Sequence, residues 1–456
     1  MTDTIPPLKI ALLGAGTVGS QVARILTEDA RMLAARVGAE LELVGVFVRN
    51  PEGARDYQLP RELYTSDAES LVDSADIVIE LLGGIEPAKT LIERAIANGS
   101  AVITGNKALL AQCGSQLFAA AAKAGTQLSF EASVGGAIPI LRPLRDSLSG
   151  DRVNRVMGIV NGTTNYILDQ MDTTGASFDD ALAEAQRLGY AEADPTADVE
   201  GLDAAAKAAI LANLAFHASF SMDKVHAEGI TRITAADNEA AAEAGYVIKL
   251  LAIAERIRSE AGVDGAVLRV HPTLLPREHP LAAVRGAYNA VFVEADNAGE
   301  LMFYGPGAGG APTASAVMGD TVSIARRLVR GGPGRTRTPK RALAALDVGE
   351  ATTSYMIVLR VADRPGVLAA IATVVAEHGV SIEAMRQVPL PEDSAVYEVH
   401  AAEGVPGSPG AEGPAESLLR ITTHRARERA LASTVTAIKE LDAVTDVVSV
   451  LRVEGN

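Results

Sequence analysis

Two lysines stand where this chain could deliver a proton. Lys107 lies in "TGNKALL", directly after a predicted strand, and Lys207 lies in "DPTADVEGLDAAAKAAILANLAF", an alanine-rich helical stretch. That stretch opens with four acids, Asp194, Asp198, Glu200 and Asp203, and its only cation sits one turn further in. Helix chemistry alone gives one account of this. Acids near an N-terminus complement the macrodipole, and Asp203 with Lys207 is an i,i+4 pair. Catalysis gives another. Two ammonium groups facing one cleft lower each other's pKa, which makes an ammonium a usable general acid near neutral pH. Reducing a carbonyl needs such a donor at the oxygen, a hydride source, and groups that fix the substrate.

The hydride source is legible near the N-terminal end. In "KIALLGAGTVGSQVARIL", Gly14, Gly16 and Gly19 follow a predicted strand and open a helix whose first turn holds Thr17 and Val18. Glycines at this spacing allow a tight turn and close backbone approach to a pyrophosphate, whose charge the helix N-terminus stabilises. A structural turn is the alternative. The second predicted strand, 43–48, runs into "VRN", so Arg49 stands where an NAD-specific protein carries an acid for the ribose. A guanidinium there suits the 2′-phosphate of NADP; a solvated surface cation is the other reading.

The elements that must position these groups fall into blocks. Over 1–135, the runs "KIALLG", "ELVGVFV", "DIVIELLG", "AVITG" and "QLSFEA" are separated by helical stretches such as 21–37 and 88–98. That alternation predicts a doubly wound, mostly parallel sheet. Lys107 then falls at the carboxyl end of a parallel strand, the edge where open α/β sheets bind ligands. Over 136–330, helical stretches at 180–188, 203–218 and 237–260 are followed by strand-like "GAVLRVHPTLL" and "NAVFVEA". A linker, 331–352, opens with "GGPGRTRTPKR". The block 353–456 reads strand, helix, strand, strand, helix, strand, a small α+β domain of its own. Its low-complexity insertion at about 389–417 includes "EGVPGSPGAEGPAE".

Bulk composition narrows the function classes. At 456 residues, 48% of them hydrophobic, the chain has room for two or three globular cores. A net charge of −16 disfavours nucleic acid and anionic membranes as partners. No apolar run is long enough to span a bilayer, and "MTDTIPPLKI" lacks the regions of a signal peptide. The single cysteine, Cys113, excludes an internal disulfide framework and suits a reducing cytoplasm. Seven scattered histidines give no zinc spacing.

Six segments, "GAGTVG", "TGNKALL", "EASVGGAIPI", "NGTTNYIL", "GYAEADPTADVEGLDAAAK" and "YGPGAGGAPTASAV", occur in an order that resembles the homoserine dehydrogenases of the long bacterial type. The resemblance extends over essentially the whole chain. It implies a Rossmann-type doubly wound nucleotide-binding domain, an α+β catalytic and dimerisation domain, and a C-terminal βαββαβ ACT domain. The implied reaction is reversible NAD(P)H-dependent reduction of L-aspartate 4-semialdehyde to L-homoserine, by a homodimer or homotetramer. By position, Lys207 matches the proton donor at the substrate oxygen, and Lys107 the lysine shared between nicotinamide and substrate. Glu192 and Asp203 match the acids that hold the substrate, chiefly its ammonium, and Asp198 supports them. Gly189 and Gly307 match backbone positions close to the cofactor. Thr163, Thr164 and Asn165 lie near the cleft on this reading, or simply cap a helix.

"EASVGGAIPI" resembles the family's monovalent-cation loop, with a side-chain oxygen from Glu131 and carbonyls from Val134, Gly136 and Ile138. Such an oxygen set suits sodium. In the ACT segment, the loop from Asp363 to Gly366 leads into a helix with Val367, Leu368, Ile371 and Val375 on one apolar face. The resemblance makes L-threonine the expected effector, with Asp363 and Gly366 lining its site. A chain ending near residue 345 is then expected to keep catalysis and lose inhibition. Two rivals remain: another amino-acid semialdehyde reductase, and an amino-acid-sensing regulator built on the ACT domain.

Overall fold

The computed structural model describes residues 5–331, 341–390 and 416–455. Most of the linker motif and of the 389–417 insertion therefore lies outside the described residues. The first domain runs β1 (Leu8–Leu13), α1 (Thr17–Glu28), α2 (Ala30–Val37), β2 (Leu41–Phe47), β3 (Tyr64–Thr65) and α3 (Ala68–Asp73). It continues through β4 (Ile77–Glu80), α4 (Ala88–Ala97), β5 (Ala101–Thr104), α5 (Lys107–Ala124) and β6 (Leu128–Ser129). All six strands are parallel, in the order β3-β2-β1-β4-β5-β6. Helices cover both faces, so β4 and β5 are buried along their whole length and lack polar alternation. Strand order reverses between β1 and β4, which is where such a sheet opens a crevice for a ligand.

The second domain contains β7 (Val153–Ile159), α6 (Gly162–Thr174), α7 (Phe178–Arg187), α8 (Thr196–Val199), α9 (Leu202–Ala215) and β8 (His226–Ala227). After these come α10 (Ala235–Glu243), β9 (Tyr246–Arg258), β10 (Asp264–Pro276), β11 (Tyr288–Ala295), β12 (Gly299–Pro306) and α11 (Gly310–Val329). The helix expected over 237–260 is wrong beyond Glu243. Gly245 turns the chain at φ 83°, and the next thirteen residues form β9, paired with β10 on one side and β7 on the other. Residues 247–254 are all buried, so no polar alternation marks the strand. An unbroken apolar run does not by itself separate helix from strand. Here non-local pairing overrides the helix preference of Leu and Ala.

Helix α11 follows the second domain in sequence but packs on the first. Its buried Ala314, Val317, Met318, Ile324 and Ala325 share a core with Ile10, Leu12 and Val22. No described helix is long and apolar enough to cross a membrane.

The C-terminal block holds β13 (Ala344–Ala345), β14 (Thr352–Ala362), α12 (Val367–Glu377), β15 (Ile382–Pro389) and β16 (Glu416–Thr423). The short β17 (Ala426–Arg427), α13 (Glu428–Lys439) and β18 (Val444–Val453) complete it. Val367, Ile371 and Val375 of α12 enter its core as expected, but Leu368 is 41% exposed. The block has its own core, and one of its strands also joins the sheet of the second domain. β18 pairs in parallel with β10, Thr273 opposite Arg452 and Leu274 opposite Val453. One sheet thus runs β12-β11-β7-β9-β10-β18-β14-β16-β15 through both domains. Sequence pattern shows which face of a strand is apolar, but not which edge it joins.

Candidate active site

The two lysines meet on one carboxylate. Lys107 Nζ donates to Asp203 Oδ1 at 2.7 Å, and Lys207 Nζ donates to Asp203 Oδ2 at 2.6 Å. Lys207 also donates to the carbonyl of Val160, just past β7, at 2.6 Å. Helix α9 makes this possible. Gly201 takes the left-handed conformation (φ 77°) that starts it, and the i,i+4 spacing then sets Asp203 and Lys207 on one face. Burial works against a charged Asp203, yet Lys207 and Lys107 outweigh it and hold its pKa well below the ordinary carboxylate range. Burial lowers the pKa of Lys207, Lys107 adds to that, and Asp203 opposes both.

Asn161 is the organiser that sequence reasoning missed. Its Nδ2 donates to Asp198 Oδ1 at 2.6 Å and to Asp203 Oδ2 at 3.0 Å, while its Oδ1 accepts the Thr164 N–H and caps α6. The signal was an Asn immediately before a helical run, three residues ahead of the donor it satisfies. Thr163 and Asn165 do other work. Thr163 Oγ1 donates to the carbonyl of Tyr190, and Asn165 Nδ2 donates to that of Gly286 at 2.8 Å. Asp203 therefore has both oxygens engaged by protein donors, whereas Glu192 is exposed and its carboxylate has no partner among the described residues. Of the two acids expected at a substrate ammonium, Glu192 is exposed with its carboxylate unengaged among the described residues, and Asp203 is the one already bridging the lysines, with one donor on Oδ1.

Lys107 is fixed from the nucleotide domain. It is the first residue of α5, capped by Asn106, whose Oδ1 accepts the Leu109 N–H. At the end of β4, fully buried Glu80 accepts from the Thr104 hydroxyl at 2.5 Å and from the Leu82 N–H at 2.8 Å. The Thr104 hydroxyl in turn accepts the Asn106 N–H. The glycine loop fits a dinucleotide. A Cβ on Gly14 would lie 2.8 Å from the Leu81 carbonyl oxygen, and one on Gly19 would lie 2.1 Å from that of Gly14. Gly16, by contrast, faces open space at the N-cap of α1, where Thr17 and Val18 begin the helix. Gly310, first residue of α11, comes so close that its Cβ would lie 2.8 Å from the Thr17 carbonyl oxygen. Arg49 is exposed, two residues past the end of β2. Gly189 (φ 76°) faces open space after α7. Gly307 is packed tightly instead: a Cβ there would lie 2.2 Å from Asn289 Cγ, and one on Gly136 would lie 2.4 Å from the Gly307 carbonyl.

Among the described residues there is no group of three or more His, Cys, Asp or Glu able to hold a metal. The oxygen loop at 131–138 is a different kind of candidate. Glu131 is buried and accepts the Leu141 and Arg142 N–H groups at 2.9 Å each. Asp320, also buried, accepts the Glu131 N–H at 2.8 Å. Arg142 faces both carboxylates, at 3.3 Å from Glu131 and 3.6 Å from Asp320. Val134 and Ile138, in the same loop as Glu131, are buried. Burial pushes Asp320 up to about 6. In the C-terminal domain, Asp363 and Gly366 are both exposed in the loop from β14 to α12. Asp363 Oδ1 accepts from Gln387 Nε2 at 3.2 Å.

Comparison with known proteins agrees along the chain. Residues 139–322 match the homoserine dehydrogenase family model, residues 14–131 that of the homoserine dehydrogenase NAD binding domain, and residues 355–405 the ACT domain. A homoserine dehydrogenase of Mycobacterium tuberculosis (strain ATCC 25618 / H37Rv) is 50% identical over 451 residues, 98% of each chain. The crystal structure of a homoserine dehydrogenase from Thiobacillus denitrificans superposes with a TM-score of 0.83 at 39% identity, covering 99% of both chains. A hyperthermophilic archaeal homoserine dehydrogenase in complex with NADPH matches 72% of this chain and all of its own, with a TM-score of 0.59 at 27% identity. The convergence of two distant lysines on Asp203 thus lies within a sequence and a fold shared along nearly the whole chain with the Mycobacterium and Thiobacillus enzymes, and the chain belongs to the homoserine dehydrogenase family of oxidoreductases.

Proposed function

We propose that this protein interconverts L-aspartate 4-semialdehyde and L-homoserine, with NADP as the preferred nicotinamide cofactor. The observation that carries the reading is the Asp203 carboxylate bridging Lys107 and Lys207. Bound in the β1–β4 crevice, the cofactor supplies the hydride for reduction and accepts it in oxidation. Gly14, Gly16 and Gly19 give its pyrophosphate backbone room and the start of α1, with Thr17 and Val18 in that first turn. Gly189 and Gly307 approach it as bare backbone. Lys107, at the sheet edge, touches both nicotinamide and substrate. Exposed Glu192 and Asp203 take the substrate ammonium, and Asp198, through Asn161, steadies them. Lys207 passes its proton to the substrate oxygen as the carbonyl is reduced, and takes it back during oxidation.

Mixing the protein with L-homoserine and NADP should raise nicotinamide absorbance; no change with either NADP or NAD sinks the reading. Arg49 holds the 2′-phosphate in this account. Arg49→Asp should lower kcat/KM for NADP far more than for NAD, since it replaces attraction by repulsion. An unchanged ratio would make Arg49 a surface cation. The NADPH named with the archaeal relative belongs to that protein and is consistent with this preference.

The step belongs to threonine, methionine and isoleucine formation, and L-threonine is the effector we assign to the ACT loop at Asp363 and Gly366. Paired ACT domains of a homodimer or homotetramer would bind it at their shared edge. Full-length protein that neither binds threonine by calorimetry nor slows in its presence removes this part. A sodium ion suits the loop of Glu131, Val134, Gly136 and Ile138 because two buried carboxylates there face one guanidinium. Its removal should lower the melting temperature of the wild type but not of Glu131→Ala.

A further inference from the structure

Arg452 reaches from the C-terminal strand β18 into the catalytic domain. It grips Glu228 as a fork, with Nη1 2.8 Å from Oε2 and Nη2 2.8 Å from Oε1. Its Nε donates to Glu428, in the first turn of α13, at 2.7 Å, and the Tyr355 hydroxyl donates to the same oxygen at 2.7 Å. Only 12% of the Arg452 side chain is exposed, against 42% of that of Glu228, so the pair is partly screened by solvent and its bidentate geometry is what fixes the two side chains together.

From Glu228 the path to the catalytic helix is backbone. β8 pairs with β10, and the Glu228 N–H donates to the Val270 carbonyl at 2.8 Å. Two residues on, the Ile230 N–H donates to the Val199 carbonyl at 2.8 Å. The approach is close enough to require glycine. A Cβ on Gly229 would lie 2.2 Å from the Val199 oxygen, and one on Gly201 would lie 3.3 Å from the Glu228 oxygen. Gly201 is the left-handed residue that starts α9, and Asp203 stands in that helix's first turn.

We propose that Arg452 is a positioning residue for catalysis, acting through Glu228 and the 228–230 backbone to hold the start of α9 where Asp203 and Lys207 meet the substrate. The ACT domain's last strand then completes the catalytic scaffold as well as carrying regulation. Asn161 fixes α9 from the side of α6, and the 228–230 segment fixes it from the side of β10. Loosening one support shifts the proton donor, and a displacement of about 1 Å at reacting groups can cost on the order of 10²-fold in rate.

The test rests on the assigned oxidoreductase activity and uses the full chain. Glu228→Gln, Arg452→Met and the double variant are compared for kcat and KM with L-homoserine, for NADP binding by direct titration, and for melting temperature. Each single change is expected to lower kcat/KM for homoserine by about ten- to a hundred-fold and leave NADP binding unchanged. The double variant should lose about as much as Arg452→Met alone, because either change breaks the Arg452–Glu228 fork and Arg452→Met also releases Glu428. Arg452→Lys, which keeps the charge but not the fork, should recover part of the loss. Glu228 is partly exposed, so Glu228→Gln still decides the matter if Arg452→Met fails to fold. Wild-type kcat/KM in either folded variant, multiplicative losses in the double, or NADP binding that falls in step with activity would each overturn the proposal. A wild-type protein inert toward homoserine would instead sink the functional assignment, and this proposal with it.

Discussion

Lys207→Ala should lower kcat by about 10²–10⁴-fold, the cost of losing one general acid, while NADP affinity stays unchanged. The residue is buried, one turn inside α9, and its Nζ contacts only Asp203 and the Val160 carbonyl among its hydrogen-bond partners in the described residues. An interaction made in the transition state shows in kcat more than in ground-state binding. The pH dependence has a defined sign. Burial, with Lys107 adding to it, lowers the Lys207 pKa below that of an ordinary lysine. On the proposed role reduction uses the ammonium, so its rate should hold at lower pH and fall as pH rises through that depressed value. On the same proposal oxidation uses the neutral amine, and its rate should rise over the same interval. Stopped-flow rates for both directions across pH give the answer. A variant keeping half the wild-type kcat would rule out the proton-donor role.

Glu454→Ala should destabilise the protein by about 3–5 kcal/mol, the range for stranding one partner of a buried ion pair. Glu454 is buried just past β18, where Oε1 accepts from Arg269 at 2.7 Å and Oε2 accepts from Arg155. Arg155 stands on β7 and Arg269 on β10, so one C-terminal carboxylate ties two catalytic-domain strands together. Burial opposes its ionisation, but Arg269 and Arg155 outweigh burial and hold its pKa near 2, against an ordinary 4.5. A depressed folded-state value contributes stability that is present above the unfolded pKa and lost as pH falls. The gap between wild type and Glu454→Gln in urea unfolding should therefore be largest above about pH 4.5 and close toward pH 2. A gap that does not change with pH would show that the ion pair is not the source. The same geometry bears on the stability of a chain ending near residue 345. Such a chain takes Glu454 from Arg155 and Arg269, leaving them Glu294 and Glu255, and uncovers β10 at Thr273 and Leu274, so its melting temperature should fall below that of the full chain. A truncated protein with wild-type melting behaviour would contradict this.

Local chemistry was enough to read much of the site. The glycines of "GAGTVG" are legible because a tight turn with backbone approach leaves no room for Cβ at Gly14 and Gly19. Asp203 and Lys207 are legible because helical spacing alone puts them on one face. The strands of the first domain are legible because burial on both faces demands continuous β-branched runs. The resemblance then supplied roles that spacing could not, such as the shared lysine at 107.

Tertiary structure decided everything that depends on which distant segments meet. Lys107 and Lys207 share a carboxylate although Lys107 lies 96 residues from Asp203, and no local pattern encodes that distance. Residues 246–258 became a strand because β7 and β10 offered edges on both sides, not because the segment lacks helix formers. Likewise, α11 returned to the nucleotide domain, where its apolar face found a core. The joining of β18 to β10, and with it the placing of Glu454 and Arg452 against catalytic-domain charges, follows from edge pairing between strands far apart in sequence. The amino-acid sequence by itself determines what is set within a turn or two of chain, namely caps, helix faces and the glycine loop. Contacts between distant segments form only when burial of whole faces repays the entropy of bringing them together, and that balance belongs to the folded molecule.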